Sequence, residues 1–285
     1  MGSDPEGLTP STTVASQSRD RLIEFRIQNA TVSAPQGAAA QQSNPGSSHM
    51  RQLDVQPALI DQVHDRLLGA IADGTLASGQ RLTQESVAAM LGVSRQPVSH
   101  ALQVLRRRGF LIEHGKRGLQ VAPLDSGRIR DLYLVREALD GLAARLASRR
   151  VKSGEVTAAE RGVAESALVA GRKLGPRAGM SQQIDADVAF HSAIHVLSGN
   201  RAIIETIADQ WPHFRRSMGL VLSVSGARAR YWDEHAAILE AVLAGDASAA
   251  EDCARRHTAA AGEETALRLE AELRTHQTQH DGGAA

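Results

Sequence analysis

Four residues spread over three apolar stripes are of the types that bind metal. Between positions 180 and 198, Ile184, Val188 and Ile194 recur at helical spacing, and Asp187 and His191 lie along the same stripe four residues apart. Tyr231, Ile238 and Val242 mark a second inward stripe that includes His235. Ala250, Cys253 and Ala260 mark a third, shared with His257. One inward histidine is an ordinary core residue. Three together with an aspartate are costly to bury unless they share a partner. A divalent cation satisfies all four at once, because imidazole nitrogen and carboxylate oxygen are common ligands of such ions. Zinc is the first candidate, with nickel and manganese open, since ligand type alone does not choose the metal.

Arg136 repeats the inward-charge argument. It falls among Ile129, Leu132, Tyr133, Leu139, Ala143 and Leu146 on one helix face, and a buried guanidinium requires an anion. His195 also lies near the 180–198 stripe, where a packing or supporting role outweighs ligation. Cys253, one turn before His257, reads as a small buried thiol. The pattern places no carboxylate or other base beside the four ligands as a general base. That weighs against a metal-dependent hydrolase, the rival use of such a cluster.

The elements that would carry these residues are helical. Apolar periodicity and breaks predict helices near 127–150, 154–172, 180–198, 200–220, 227–244 and 246–274. Ahead of them, a helix over 57–73 carries Leu59, Ile60, Val63, Leu67, Leu68 and Ile71, with Pro57 in its first turn and Gly74 as its stop. Thr83 can cap a short helix, with Ser86 in its first turn, that ends at Gly92. Ser94 is expected to cap a second one bearing Val98, Leu102 and Leu105. Strands at 110–113 and 119–122 flank His114-Gly115-Lys116-Arg117-Gly118. Helix, short helix, glycine turn, helix and hairpin make a winged helix-turn-helix. The fold class is therefore mainly α. A winged helix-turn-helix over 51–123 precedes an all-α six-helix bundle over 124–274, with disordered tails at 1–50 and 275–285. The run Gly46-Ser47-Ser48-His49-Met50 resembles a cloning junction.

Composition agrees. Hydrophobic residues make up 42% of the chain and aromatic ones 3%, a balance that favours helices over sheet. The one cysteine excludes an internal disulfide framework and fits a reducing compartment. No apolar run approaches the roughly 20 residues needed to span a bilayer, so no membrane association and a cytoplasmic location are expected. The formal net charge is zero, yet residues 51–123 carry +3 and residues 95–117 carry +5. A locally basic face on a neutral chain attracts phosphate.

Residues 59–123 resemble the GntR family of bacterial repressors, in the subfamily typified by FadR and VanR. The matching stretches are Ile71-Ala72-Asp73-Gly74-Thr75-Leu76, Gly79-Gln80-Arg81-Leu82, Leu91-Gly92-Val93-Ser94-Arg95-Gln96-Pro97-Val98 and Ala101-Leu102-Gln103-Val104-Leu105. The resemblance implies a double-stranded DNA operator gripped through the helix that begins at Ser94. Arg95 can bond a guanine edge in the major groove, and Gln96 a base or phosphate. His114 and Gly115 stand at the wing tip, where related repressors reach the minor groove, with Lys116 and Arg117 adding phosphate attraction. Ser99 and His100 replace the family's usual Arg-Glu, which implies an altered operator.

Residues 124–269 resemble the FCD ligand-binding domain of the same subfamily, through Asp187-Val188-Ala189-Phe190-His191, Ser198-Gly199-Asn200, Glu234-His235, Gly245-Asp246 and His257. Six helices after the wing match the shorter VanR-like arrangement. This resemblance implies Asp187, His191, His235 and His257 as metal ligands, with Arg136 and Asn200 at the site of a small carboxylate effector. The expected protein is a homodimeric repressor on a short palindrome whose DNA grip responds to that effector. A constitutive DNA binder with a structural metal, and less readily a hydrolase, are the alternatives.

Overall fold

The computed structural model describes residues 57–115, 118–175, 178–222 and 227–281. The expected tail at 1–50 and the wing residues Lys116 and Arg117 lie outside them.

Helix α1 spans Pro57–Ala72 and stops ahead of Gly74, whose φ of +81° belongs to glycine. A two-residue strand, β1 (Arg81–Leu82), leads into α2 (Gln84–Leu91). Thr83 accepts from the Ser86 amide while Ser86 Oγ accepts from the Thr83 amide, a reciprocal cap on α2. Gly92, at φ +65°, makes the turn into α3 (Arg95–Arg107). Strands β2 (Leu111–His114) and β3 (Gly118–Val121) form the wing, antiparallel, with Leu111 opposite Val121 and His114 opposite Gly118.

The sequence reading missed β1. It pairs with β3 through Arg81 opposite Gln120 and Leu82 opposite Leu119, giving the sheet order β1-β3-β2. Two residues are too few to show a period of two, so no pattern marked them. Val63, Leu67, Ile71, Leu82, Val98, Leu102, Leu105, Phe110 and Val121 close one apolar core beneath these elements.

Among the described residues six helices follow: α4 (Ser126–Lys152), α5 (Ala158–Lys173), α6 (Met180–Leu197), α7 (Arg201–Leu222), α8 (Ala227–Leu243) and α9 (Ala247–Asp281). Helix α9 continues through Asp281 where a disordered tail was expected from 275. Residues 275–281 contain neither proline nor glycine, so nothing in that stretch of sequence stops the helix. Helices α4 and α9 lie side by side, tied by Arg130 to Glu263 and Glu270 and by Arg145 to Glu251. Gly262 permits this closeness, since a Cβ there would meet Tyr133 Cβ at 2.5 Å. Ile203, Ile207, Trp211, Phe214 and Met218 of α7 complete the apolar layer against α4.

Helix α7 also meets the winged part. The His213 ring stacks on Phe110, with centroids 3.9 Å apart and planes 15° off parallel. Arg108 Nη2 donates to the Asp209 carbonyl at 2.7 Å, and Arg216 donates to the Ala122 carbonyl.

Candidate metal centre and DNA-reading face

Helix α6 presents Asp187 and His191 one turn apart, α8 presents His235 and α9 presents His257. All four are buried, His235 completely. One ring nitrogen from each of the three histidines lies within 4.8 Å of the other two. His235 Nε2 stands 3.1 Å from His257 Nε2 and 3.5 Å from Asp187 Oδ1, and His191 Nε2 is 3.7 Å from Asp187 Oδ2. A tetrahedral ion with bonds near 2.0–2.1 Å holds its ligand atoms roughly 3.3 Å apart. The His235–His257 and His235–Asp187 separations stand near that spacing, while the three histidines as a set lie within 4.8 Å.

Polar satisfaction points the same way. His191 Nε2, beside Asp187, is buried without a hydrogen-bond partner, an arrangement that costs free energy; His235 Nδ1, the ring nitrogen turned away from His257, is likewise unpartnered. Burial holds both imidazoles well below their ordinary pKa, with Arg136 and neighbouring histidines adding to the effect, so they stand as neutral rings. Neutral imidazole is the form that ligates. Burial also raises the Asp187 carboxyl above the usual range. The residues present fit a divalent cation.

Beside this cluster is a cavity of about 20 Å³, lined by Tyr133, Arg136, Asp187, His191, Tyr231 and His257 among others. That is room for about one water. Arg136 faces the cavity from α4, and Trp211, Phe214 and Tyr133 pack their rings around its guanidinium at 4.7, 5.0 and 5.5 Å. Its Nε donates to Asp140 Oδ2 at 3.1 Å, one turn along the same helix. Burial alone would lower the Arg136 pKa; the Asp140 charge beside it carries it up.

Asp140 is the anion that the inward Arg136 called for, and the sequence reading did not name it. Its carboxylate also accepts from His195 Nε2 at 2.7 Å and from Thr258 Oγ1 at 2.9 Å. Burial opposes its charge, but Arg136 and these donors outweigh burial and hold its pKa at about 2. His195 thus serves Asp140 rather than the ligand cluster. A second missed carboxylate, Glu234, bonds His257 Nδ1 at 2.7 Å. Both acids are engaged by donors, Asp140 by Arg136, His195 and Thr258 and Glu234 by His257, so neither stands free as a general base. Asn200 stands apart from the cavity lining: its Oδ1 accepts from the Ile203 amide at 3.2 Å, capping α7.

On the winged part, Ser94, Arg95, Gln96 and His100 are exposed along the start of α3, and Ser99 and His114 are half-buried. Ser94 occupies the cap position with φ −70° and ψ 162°, yet its side chain makes no cap bond. The reason is local: the residue three positions on is Pro97, which has no amide hydrogen to donate. The first amides of α3 are left without that partner, as an anion site requires. Arg95 pairs with Glu85 at 2.9 Å, both well exposed. Ser99 Oγ accepts from Gln84 Nε2 at 3.2 Å. Gly115 turns the wing at φ +63°. Of the helix-end arginines, Arg106 bonds Glu113 of β2 at 2.6 Å and Arg108 reaches α7.

Residues 59–121 match the family described as bacterial regulatory proteins, gntR family, and residues 131–260 match the FCD domain. A transcriptional regulator in an unstable DNA locus of Streptomyces ambofaciens is 31% identical over 64% of this chain and 74% of its own length. A probable D-xylose utilization operon transcriptional repressor of Paenarthrobacter nicotinovorans is 26% identical over 70% of this chain and 85% of its own. Among solved structures, Escherichia coli McbR/YncC aligns with TM-score 0.58 at 20% identity, covering 78% of this chain and 99% of that one. A regulator from Rhodococcus sp. RHA1 aligns with TM-score 0.54 at 23% identity, covering 72% and 96%. A DNA-binding winged head joined to an all-helical FCD domain defines a class of transcription regulator rather than an enzyme. The chain belongs to the GntR family. No helix among the described residues is long and apolar enough to cross a membrane.

Proposed function

We propose that this chain is a homodimeric, cytoplasmic repressor that holds a short palindromic operator and changes its grip when a small carboxylate meets a metal in the helical domain. The observation that carries the reading is the cluster of His191, His235 and His257, with Asp187 beside it, next to a cavity that Arg136, Asp187, His191 and His257 line. When bound, the ion would supply a Lewis-acidic positive charge that an organic anion can share with Arg136; zinc is the first choice. Asp187 and the three histidines would hold it. Arg95 and Gln96 would read bases, Ser94, Ser99, His100, Lys116 and Arg117 would meet backbone or neighbouring groups, and His114 with Gly115 would enter the minor groove. Asn200 supports the site by starting α7 rather than by touching an effector.

The test selects an operator from random duplex DNA with the zinc-loaded protein, then titrates acetate, malonate and citrate into the complex. At least one acid is expected to change operator affinity five-fold or more, and the change should vanish in His235→Ala. Unchanged affinity with every acid overturns effector control. The 20 Å³ cavity favours a second reading, a purely structural metal with constitutive DNA binding. Under that reading chelation unfolds the helical domain and no acid acts.

A further inference from the structure

Ligands that share an ion must each present a bare lone pair to one point, and a neutral imidazole has only one. Which nitrogen that is depends on where the other hydrogen goes. His257 settles the matter with one contact. Its Nδ1 lies 2.7 Å from Glu234 Oε2, and a carboxylate at that distance accepts a hydrogen from nitrogen. The hydrogen is thus on Nδ1, and the lone pair on Nε2 faces His235 Nε2 at 3.1 Å.

Glu234 precedes His235 in α8, so the backbone that delivers one ligand also delivers the carboxylate that aims another on α9. Among the described residues, the other two histidines have no carboxylate at that range. His191 Nδ1 lies 3.7 Å from Asp140 Oδ2, beyond hydrogen-bond reach, and His235 Nδ1 is unpartnered. Glu234 Oε1 in turn stands 3.7 Å from Arg230 Nε, which steadies the carboxylate at the protein's edge.

We infer that Glu234 is a positioning residue for the metal: it fixes the His257 tautomer and ring angle, and so sets affinity at a site it does not ligate. The inference rests on the metal reading above. Replacing such a carboxylate typically lowers metal affinity about 10–100-fold.

The experiment measures zinc affinity of the full chain by competition with a chromophoric chelator, and records the visible spectrum of the cobalt(II)-loaded protein. Glu234→Gln keeps the side chain's shape, removes the charge and offers an amide of two-sided polarity. It is expected to lose at least ten-fold in zinc affinity and to shift the cobalt spectrum, while the metal-free protein melts as wild type does. Glu234→Asp, which keeps the charge on a shorter arm, is expected to recover part of the loss. Glu264→Gln removes a nearby charge bonded to Arg230, Arg268 and Tyr231 and is expected to bind zinc within two-fold of wild type. Wild-type affinity and spectrum in Glu234→Gln overturn the role of Glu234 and leave the metal reading intact. An equal loss in Glu264→Gln reduces the effect to net charge and overturns the positioning role. Failure of the wild-type chain to bind zinc, nickel, manganese or cobalt overturns both.

Discussion

Asp140→Asn removes one negative charge at nearly constant volume from a buried side chain that three donors share. Asp140 and Arg136 are each 3% exposed, so the guanidinium left behind has no solvent to turn to. Breaking one side of a buried ion pair costs about 3–5 kcal/mol. The amide cannot repair the loss. Asp140 accepts from Arg136 Nε, Thr258 Oγ1 and His195 Nε2, and an asparagine offers one acceptor oxygen and an NH₂ group that confronts donors. The depressed pKa gives a second, independent scale. A shift from 3.8 to about 2 corresponds to roughly 2 kcal/mol of stability at neutral pH. The folded pKa lies below the unfolded one, so this contribution is present above about pH 4 and is lost as pH falls toward 2. Against a typical total of about 5–15 kcal/mol, either figure is large. Urea denaturation of the zinc-free chain, followed by circular dichroism, measures it: a lower midpoint with an unchanged slope is expected. The double variant Arg136→Met/Asp140→Leu should recover most of the loss, because no charge is left stranded. A loss under 1 kcal/mol in Asp140→Asn, or a double variant less stable than the single one, would refute the account.

Other outcomes follow from single contacts. Arg95→Ala should weaken operator binding by about 1–3 kcal/mol and relax preference at one base position, measured by fluorescence anisotropy on single-base variants; uniform weakening across them would sink base reading. Burial, with Arg128, Arg216 and Arg108 nearby, pushes His213 down to about 4, so the unfolded chain binds more protons between pH 4 and 6.5. The melting temperature should therefore fall as pH drops through that window, and His213→Phe, which keeps the ring stack on Phe110, should flatten the fall. Gly262→Val should cost about 1–3 kcal/mol by forcing Tyr133 away from α9, read by thermal unfolding. Zinc at about 100 times its dissociation constant should stabilise the chain by roughly 2.7 kcal/mol, and His235→Ala should abolish that gain.

Much of the architecture was legible because periodicity and breakers carry it. Gly92 between two apolar-striped helices, and glycines at 154, 199 and 245, marked boundaries that the structure places within a few residues. The stripes also showed which polar residues face inward. What they do not carry is pairing between helices. Arg136 announced the need for an anion, and a signal for Asp140 existed in its position four residues on. Glu234 showed in the sequence only as part of the Glu234-His235 match, without a role: it is a third exposed, and the crossing of α8 over α9 is what brings it to His257. Ser94 failed as a cap for a reason visible in the sequence, namely Pro97 three residues later. The strand β1 was illegible because its pairing with β3 depends on a neighbour nearly forty positions away.

Helix α7 is a shared wall. Trp211 and Phe214 close over the Arg136 guanidinium, while Asp209, His213 and Arg216 hold Arg108, Phe110 and Ala122 of the winged head. Trp211 and His213 are separated by one residue, Pro212, which denies the helix a backbone bond at that turn. A cavity of about 20 Å³ cannot admit an organic acid without moving one of its walls, and close-packed interiors transmit such displacements rather than absorb them. A shift of α7 driven from its inner side would carry His213 and Arg216 with it, since they ride on the same helix. Between the side chain that covers Arg136 and the side chain stacked on the winged head stands one residue, Pro212.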